Sequence, residues 1–427
     1  MFWFDFAWEI QNVLNQWWWQ INFSLLVILV ILGWLSWKNP IYGISLTIIL
    51  MPTYLFRSQV WFFPFTYLEI CIWVVFLTWF IRSIITNRLR QGFSKYYRWP
   101  IILILLGATI SLFISPTTRQ AAGLWKAYFI EPIMFFMVAV NTVKTKRDKE
   151  LILWALGLST ISISLLAIYQ KFSAFGIFEP GWIAPDKRRV TSIFSSPNAV
   201  GLYLGPIVVL YISWLIDEFK NHKAGLLKIL IVVSSLLAIY FTVSQGTWLG
   251  LAAAIIFLAF FGWSKKWTGL AITGLILIAI ILPVTREKLW PMITFSDVSG
   301  QNRITLFQMS TSYLTDNTKN LLLGGGILGF AEIQNSLRDP LKLEALLYPH
   351  NFILNFWLEI GLVGLVGFGW LAIKFFTRGF NILKTRRDWL TLGVMAAIVA
   401  TLAHGLIDVP YFKNDLAVLF WIIIALL

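Results

Sequence analysis

The sequence is poor in charge. Only 13% of its 427 residues are Asp, Glu, Lys or Arg, against roughly 25% in an ordinary soluble chain. That excludes the two or three soluble domains the length would otherwise allow. Cysteine occurs once, at Cys71 inside an apolar run. An intramolecular disulfide and a thiolate metal cluster are therefore excluded, leaving a small packing residue. No Lys or Arg precedes Lys38, so the basic n-region of a cleavable signal peptide is missing. The glycine run at 324–326 is not followed by Gly-Lys-Ser/Thr, which excludes a nucleotide P-loop. No Asp-x-Asp or His-x3-His pair is present on the expected outer side, and no metal or other cofactor is expected there.

What the chain has in quantity is apolar length. It is 58% hydrophobic, with mean hydropathy +0.76. A membrane span takes about 20 apolar residues, so twelve would use roughly 240, nearly the whole apolar content. The predicted fold is all-α, a polytopic transmembrane helical bundle of about 12–13 spans with one long outer loop. The spans are expected near 21–37, 41–56, 66–82, 99–115, 121–140, 151–170, 198–216, 226–243, 247–262, 267–284, 350–373, 389–408 and 414–427. Ahead of them, Trp3, Phe6, Ile10, Val13, Leu14 and Trp17 form one helical stripe and Asp5, Glu9, Asn12 and Gln16 the opposite one. Residues 1–20 thus read as an interfacial amphipathic helix. The division expected is 1–20, an N-terminal bundle at 21–184, a core at 185–284, the long loop at 285–349 and C-terminal spans at 350–427. The 23 Trp suit interfacial belts.

The net charge of +14 is spread over short loops between apolar runs, as membrane topology requires, and does not suggest nucleic acid. Alternate loops divide the Lys and Arg unequally, 20 against 13, and six of the 13 lie in the one long loop. The basic short loops belong in the cytoplasm. Loops 171–197 and 285–349 are then outside.

Polar residues that loop solvation does not explain gather on that outer side. Arg188 and Arg189 are adjacent in the stretch before Pro197-Asn198, on the face usually poor in positive charge. A phosphate would compensate them through bidentate bonds, with the helix opened by Asn198 adding its free N–H groups; a solvated Arg pair beside an Asn cap is the bland alternative. In the long loop, residues 300–313 predict a helix headed by Arg303, and Gly324-Gly325-Gly326 allows a tight turn or a close backbone approach. Of three His, His350 opens a span and His404 lies one turn before Asp408 near the end of another. These two share a membrane depth, and ionisable groups there are functional candidates. Asn351, Asn355 and Glu359 continue one face below His350. Glu359, about 13 Å along the helix, is expected to brace neighbouring helices. Interhelical pairing is expected for Glu69, Lys126 and Glu131.

The order of these features resembles the O-antigen ligase and polymerase superfamily of bacterial glycan-assembly proteins. The resemblance is carried by the Arg loop ending in Pro197-Asn198, then Ser244-Gln245-Gly246. The Arg303 helix, "GGGILGF", "PHNFILNFWLEIGLVGL" and "HGLIDVPYFKND" follow. It covers residues 185–427; the first 180 match in hydropathy alone. It implies a glycosyltransferase-C-like fold in the bacterial cytoplasmic (inner) membrane, with the active site on the outer face. The activity implied is metal-independent, inverting transfer of a glycan from a polyprenyl diphosphate carrier to a lipid, glycan or protein acceptor hydroxyl. By resemblance His350 is the catalytic residue and Arg188, Arg189 and Arg303 hold diphosphate, while Asn198, Asn351, His404 and Asp408 are expected to position substrate. Gln245 departs from the family, which commonly has Arg there. A membrane transporter or flippase is the alternative from another class.

Overall fold

The computed structural model describes residues 18–60, 63–86, 95–220, 225–263, 265–281, 294, 296–335, 346–386 and 388–427. The expected amphipathic stripe at 1–17 lies outside the described residues. The described residues are mostly helical. In order the chain forms α1 (Trp18–Lys38), α2 (Pro40–Ile49), β1 (Arg57–Val60), β2 (Phe63–Thr66), α3 (Tyr67–Ile85) and α4 (Arg98–Ile114). Next come α5 (Thr118–Trp125) and α6 (Glu131–Thr142), joined by a π turn at Lys126–Ile130. They are followed by α7 (Lys146–Ser173), α8 (Pro197–Lys220), α9 (Leu226–Thr242), α10 (Gln245–Gly262) and α11 (Lys265–Ile281). The long loop contains α12 (Val298–Asp316), α13 (Thr318–Leu323) and α14 (Gly329–Asn335). The chain closes with α15 (Phe352–Thr385), α16 (Trp389–His404) and α17 (Asn414–Ala425).

Among the described residues six helices are long and apolar enough to cross a membrane, and six shorter apolar helices accompany them. This is an all-α polytopic bundle. The run expected at 41–56 is not one continuous span. α2 has 10 residues, about 15 Å, half the hydrocarbon thickness. Leu50 ends it, Pro52 sits in a 3-10 turn, and the antiparallel β1–β2 hairpin follows, an element that apolar periodicity did not anticipate. α15 runs on to Thr385, 12 residues beyond the expected end at 373.

The core is one large apolar cluster. Within it α16 packs between α8 and α10, α15 lies along α4, and α17 against α6. A second, smaller cluster belongs to the long loop: Leu306, Met309, Leu314 and Phe330 close on Leu358 of α15. The long loop is thus docked on the first turns of α15 by its own apolar core. The docking point is a break. Ile360 and Gly361 leave helical geometry, with Gly361 at φ 68° and ψ 179°, a region that essentially only glycine occupies. The Gly325 N–H donates to the Leu358 carbonyl at 2.8 Å, satisfying an acceptor at the break. Gly324 presses so closely on the Trp357 and Leu358 carbonyls that a Cβ has no room. The glycine run therefore serves close approach to the chain's own backbone. Glu359 Oε2 accepts from the Leu328 N–H at 2.9 Å, bracing the same junction.

Candidate functional site

The site is assembled where the turn after α16 meets the start of α15. Asn351 caps α15, its Oδ1 accepting from the Ile353 and Leu354 N–H groups at 3.0 Å, while its Nδ2 donates to the Leu406 carbonyl at 3.0 Å. The Phe352 N–H donates to the Gly405 carbonyl at 2.8 Å. These bonds stitch residues 350–352 to residues 404–408. His350 sits in the left-handed region at φ 51°, which His tolerates better than most side chains.

Asp408 lies between two imidazoles. His350 Nδ1 is 3.4 Å from Oδ1 and His404 Nε2 is 3.9 Å from Oδ2. Both ring nitrogens approach the carboxylate without an aligned hydrogen bond. The Val409 N–H also donates to Oδ1 at 2.8 Å. Burial opposes the Asp408 charge, but the two imidazoles and this N–H outweigh it and hold the carboxyl below the usual carboxylate range. His350 keeps 29% of its side chain exposed, whereas His404 is buried. Gly246 packs directly on the His404 ring, where a Cβ has no room. Beside that ring is a cavity of about 10 Å³ also lined by Thr247 and Thr401, near the smallest volume that holds a water.

Arg303 reaches the same place from α12. Asp297 caps that helix, accepting from the Gly300 N–H at 3.0 Å, and takes a bond from Gln245 Nε2 at 3.4 Å. Arg303 is buried, and among the described residues its guanidinium has no hydrogen bond or ion pair. Burial works against its charge, and Asp408 and then Asp297 favour it, leaving its affinity for the proton lowered. A buried guanidinium with its donors unspent is costly unless something pairs with it.

The two adjacent Arg of loop 171–197 part company. Arg188 donates to the Ile183, Lys171 and Phe172 carbonyls at 2.8, 2.9 and 3.1 Å. It caps α7. Arg189 donates from Nε to the Thr242 carbonyl at 2.9 Å, and from Nη2 to the Val243 carbonyl at 3.4 Å and to Asn198 Oδ1 at 3.5 Å. It ties the end of α9 to the start of α8. Burial first, and then repulsion from Arg303, lower its proton affinity, so the two guanidiniums feel one another. The carbonyl ends of α7 and α9 compensate the Arg pair that the sequence left without a counter-charge.

Of the eight expected site residues, His350, Asn351, His404, Asp408 and Arg303 converge. Arg189 and Asn198 border them, and Arg188 lies in the α7 cap. The sequence reading missed Asp297 and its bond to Gln245. The signal was there, an Asp three residues before Gly300 at a helix start. Away from the site, Lys126 pairs with Glu69 at 2.6 Å and Glu131 at 3.6 Å, and Asn414 donates to Glu69 at 2.9 Å, the interhelical pairing expected. Among the described residues no group of three His, Cys, Asp or Glu side chains is placed to hold a metal.

The fold and site define a class: a multi-pass, all-α membrane protein with a His–Asp–His cluster and a buried Arg where a long loop meets the ends of its apolar helices. Residues 230–369, about a third of the chain, match the family model described as O-antigen ligase. This match supports membership of the O-antigen ligase and polymerase superfamily, and with it glycosyl transfer of that general type on lipid-linked glycans. The matched segment holds Gln245, Arg303, the glycine run and His350, and ends before His404 and Asp408. No curated protein matches the chain.

Proposed function

We propose that the protein transfers a glycan from a polyprenyl diphosphate carrier to an acceptor hydroxyl, on the outer face of the bacterial cytoplasmic membrane. The carrying observation is the buried guanidinium of Arg303, unpaired among the described residues, beside the His350–Asp408 pair. In this reading Asp408 orients His350 through Nδ1, leaving Nε2 to take the proton of the acceptor hydroxyl. The hydroxyl oxygen attacks the anomeric carbon as the bond to the diphosphate oxygen breaks. The departing negative charge is met by Arg303, with Arg189 beside it. Fixed donors in a partly dehydrated site favour that charge where it develops, so no metal is called on. Direct displacement inverts the anomeric centre. The transferred chain leaves with the acceptor, and the lipid diphosphate keeps the leaving electron pair.

Asn351 and Asn198 hold the helix ends that present these groups, and Arg188 fixes the loop behind Arg189. Glycan profiling of a deletion strain tests the reading. Lipid-linked glycan should accumulate while the finished conjugate disappears, and a strain with unchanged glycans would sink the proposal. One feature favours a transporter, namely the broken α15 with buried Glu359 at the break. Against it, the Leu358 carbonyl and Glu359 Oε2 at that break already accept from the Gly325 and Leu328 N–H groups.

A further inference from the structure

A cavity of about 880 Å³ opens within the long loop, apart from the His350–Asp408–Arg303 cluster. This lies in the upper part of the range for small-molecule sites, about 300–1,000 Å³. α12 supplies one wall through Thr305, Gln308, Met309, Ser312 and Asp316. At 3.6 residues per turn these lie about 140–240° round the helix from Arg303. One helix therefore shows its guanidinium to the first site and this wall to the second. The floor is the end of α4, at Ile114 and Pro116, with Gly324 and Gly325.

The lining has the chemistry of a hydroxyl-rich ligand. Gln308, Ser312, Lys319 and Glu332 are exposed, and among the described residues none of their side chains is bonded within the protein. Asp316 spends Oδ2 on Asn317 at 2.9 Å and keeps Oδ1. Carboxylates and amides accept and donate in pairs to neighbouring hydroxyls. Tyr313, half-buried at the edge of the loop's apolar core, offers a ring face for a sugar to lie on. Two carboxylates against one Lys select against an acidic ligand, and the apolar floor and wall at Ile114, Pro116, Met309 and Ile333 are rimmed by the exposed polar side chains of Gln308, Ser312, Asp316, Lys319 and Glu332, which suits a sugar ring better than a lipid tail.

We propose that this groove is a glycan-binding site. It holds sugars of a neutral or amino-sugar chain away from the reacting end while the other face of α12 serves the diphosphate. The proposal rests on the glycosyl-transfer reading and adds a second contact with the same class of substrate. Such a contact raises the effective concentration of the reacting end.

The test uses the full chain in detergent or nanodiscs with fluorescent oligosaccharides of three kinds, malto-, chito- and oligogalacturonate, and an oligolysine peptide. Malto- or chito-oligosaccharide should bind and oligogalacturonate should not. Ser312→Trp, which fills the groove from an exposed position, should weaken binding about tenfold with an unchanged melting temperature. Glu332→Ala is the second variant and should weaken it too. His350→Ala should bind as wild type. No oligosaccharide binding, equal binding by all variants, or capture of oligolysine alone overturns the proposal. Should the groove bind sugar while the deletion strain keeps its glycans, the transfer reading falls and the groove stands. Should lipid-linked glycan accumulate while the groove stays silent, the groove falls.

Discussion

Arg303 and the two imidazoles flanking Asp408 carry the argument at the residue scale. Arg303 presents a planar fork that no group among the described residues occupies, and a lysine ammonium cannot reproduce a bidentate grip on diphosphate. Arg303→Lys is therefore expected to lose transfer nearly as fully as Arg303→Ala. A surface Arg would accept Lys within about half a kcal/mol, so wild-type turnover by the Lys variant in a purified transfer assay would return Arg303 to a structural role. His350 and His404 touch the same carboxylate, but only His350 is exposed to a substrate. His350→Ala should reduce turnover by the 10²–10⁴-fold typical of a lost general base, with melting and lipid-linked donor binding preserved. His404→Ala opens a gap against Gly246 and should lower the melting temperature while leaving residual turnover. The reverse pattern, a dead His404 variant and an active His350 variant, assigns the base to the buried ring. If both remain active, leaving-group stabilisation by Arg carries the reaction alone.

At the scale of elements, the junction between the long loop and α15 decides whether Arg303 is where the reaction needs it. Gly361 holds a backbone conformation closed to other residues, and a Cβ there would stand 2.8 Å from the Leu322 carbonyl. Strain of this kind costs about 1–3 kcal/mol per residue. Gly361→Ala should lower thermal stability and reduce turnover together, because α12 through α14 dock on the break. Gly369→Ala, in the same helix with open space around it, is the control and should be neutral or slightly stabilising, since Ala is the better helix former. Equal melting temperatures for the two variants would show that the break does not set the docking.

For the whole molecule the prediction is orientation, because the proposed chemistry requires its site outside. The basic short loops predict that the long loop lies on the outer face. Ser312→Cys in a Cys71→Ala background should react with an impermeant thiol reagent in intact cells. Reaction only after lysis would move the site to the cytoplasm and end the proposal. How much of this was open to a reader of the sequence depends on the range of the interaction. Apolar run length is a local property with a fixed target, the bilayer thickness, so the multi-span helical character followed from composition alone. Local residue pattern likewise anticipated the helix headed by Arg303 and the pairing of Glu69, Lys126 and Glu131. The hairpin after α2 and the break at Gly361 were not legible, because both are set by what packs against them rather than by their own periodicity. The same holds for the Arg pair. Adjacent in sequence, Arg188 and Arg189 asked for a common anion, and only the folded chain showed that they bond different helix ends, Arg188 that of α7 and Arg189 that of α9. Residue type and spacing nominated the candidate groups. The packing of the long loop on α15, and of residues 404–408 against its first turn, decided which of them meet, since a contact across 50 or more residues leaves no periodic trace along the chain.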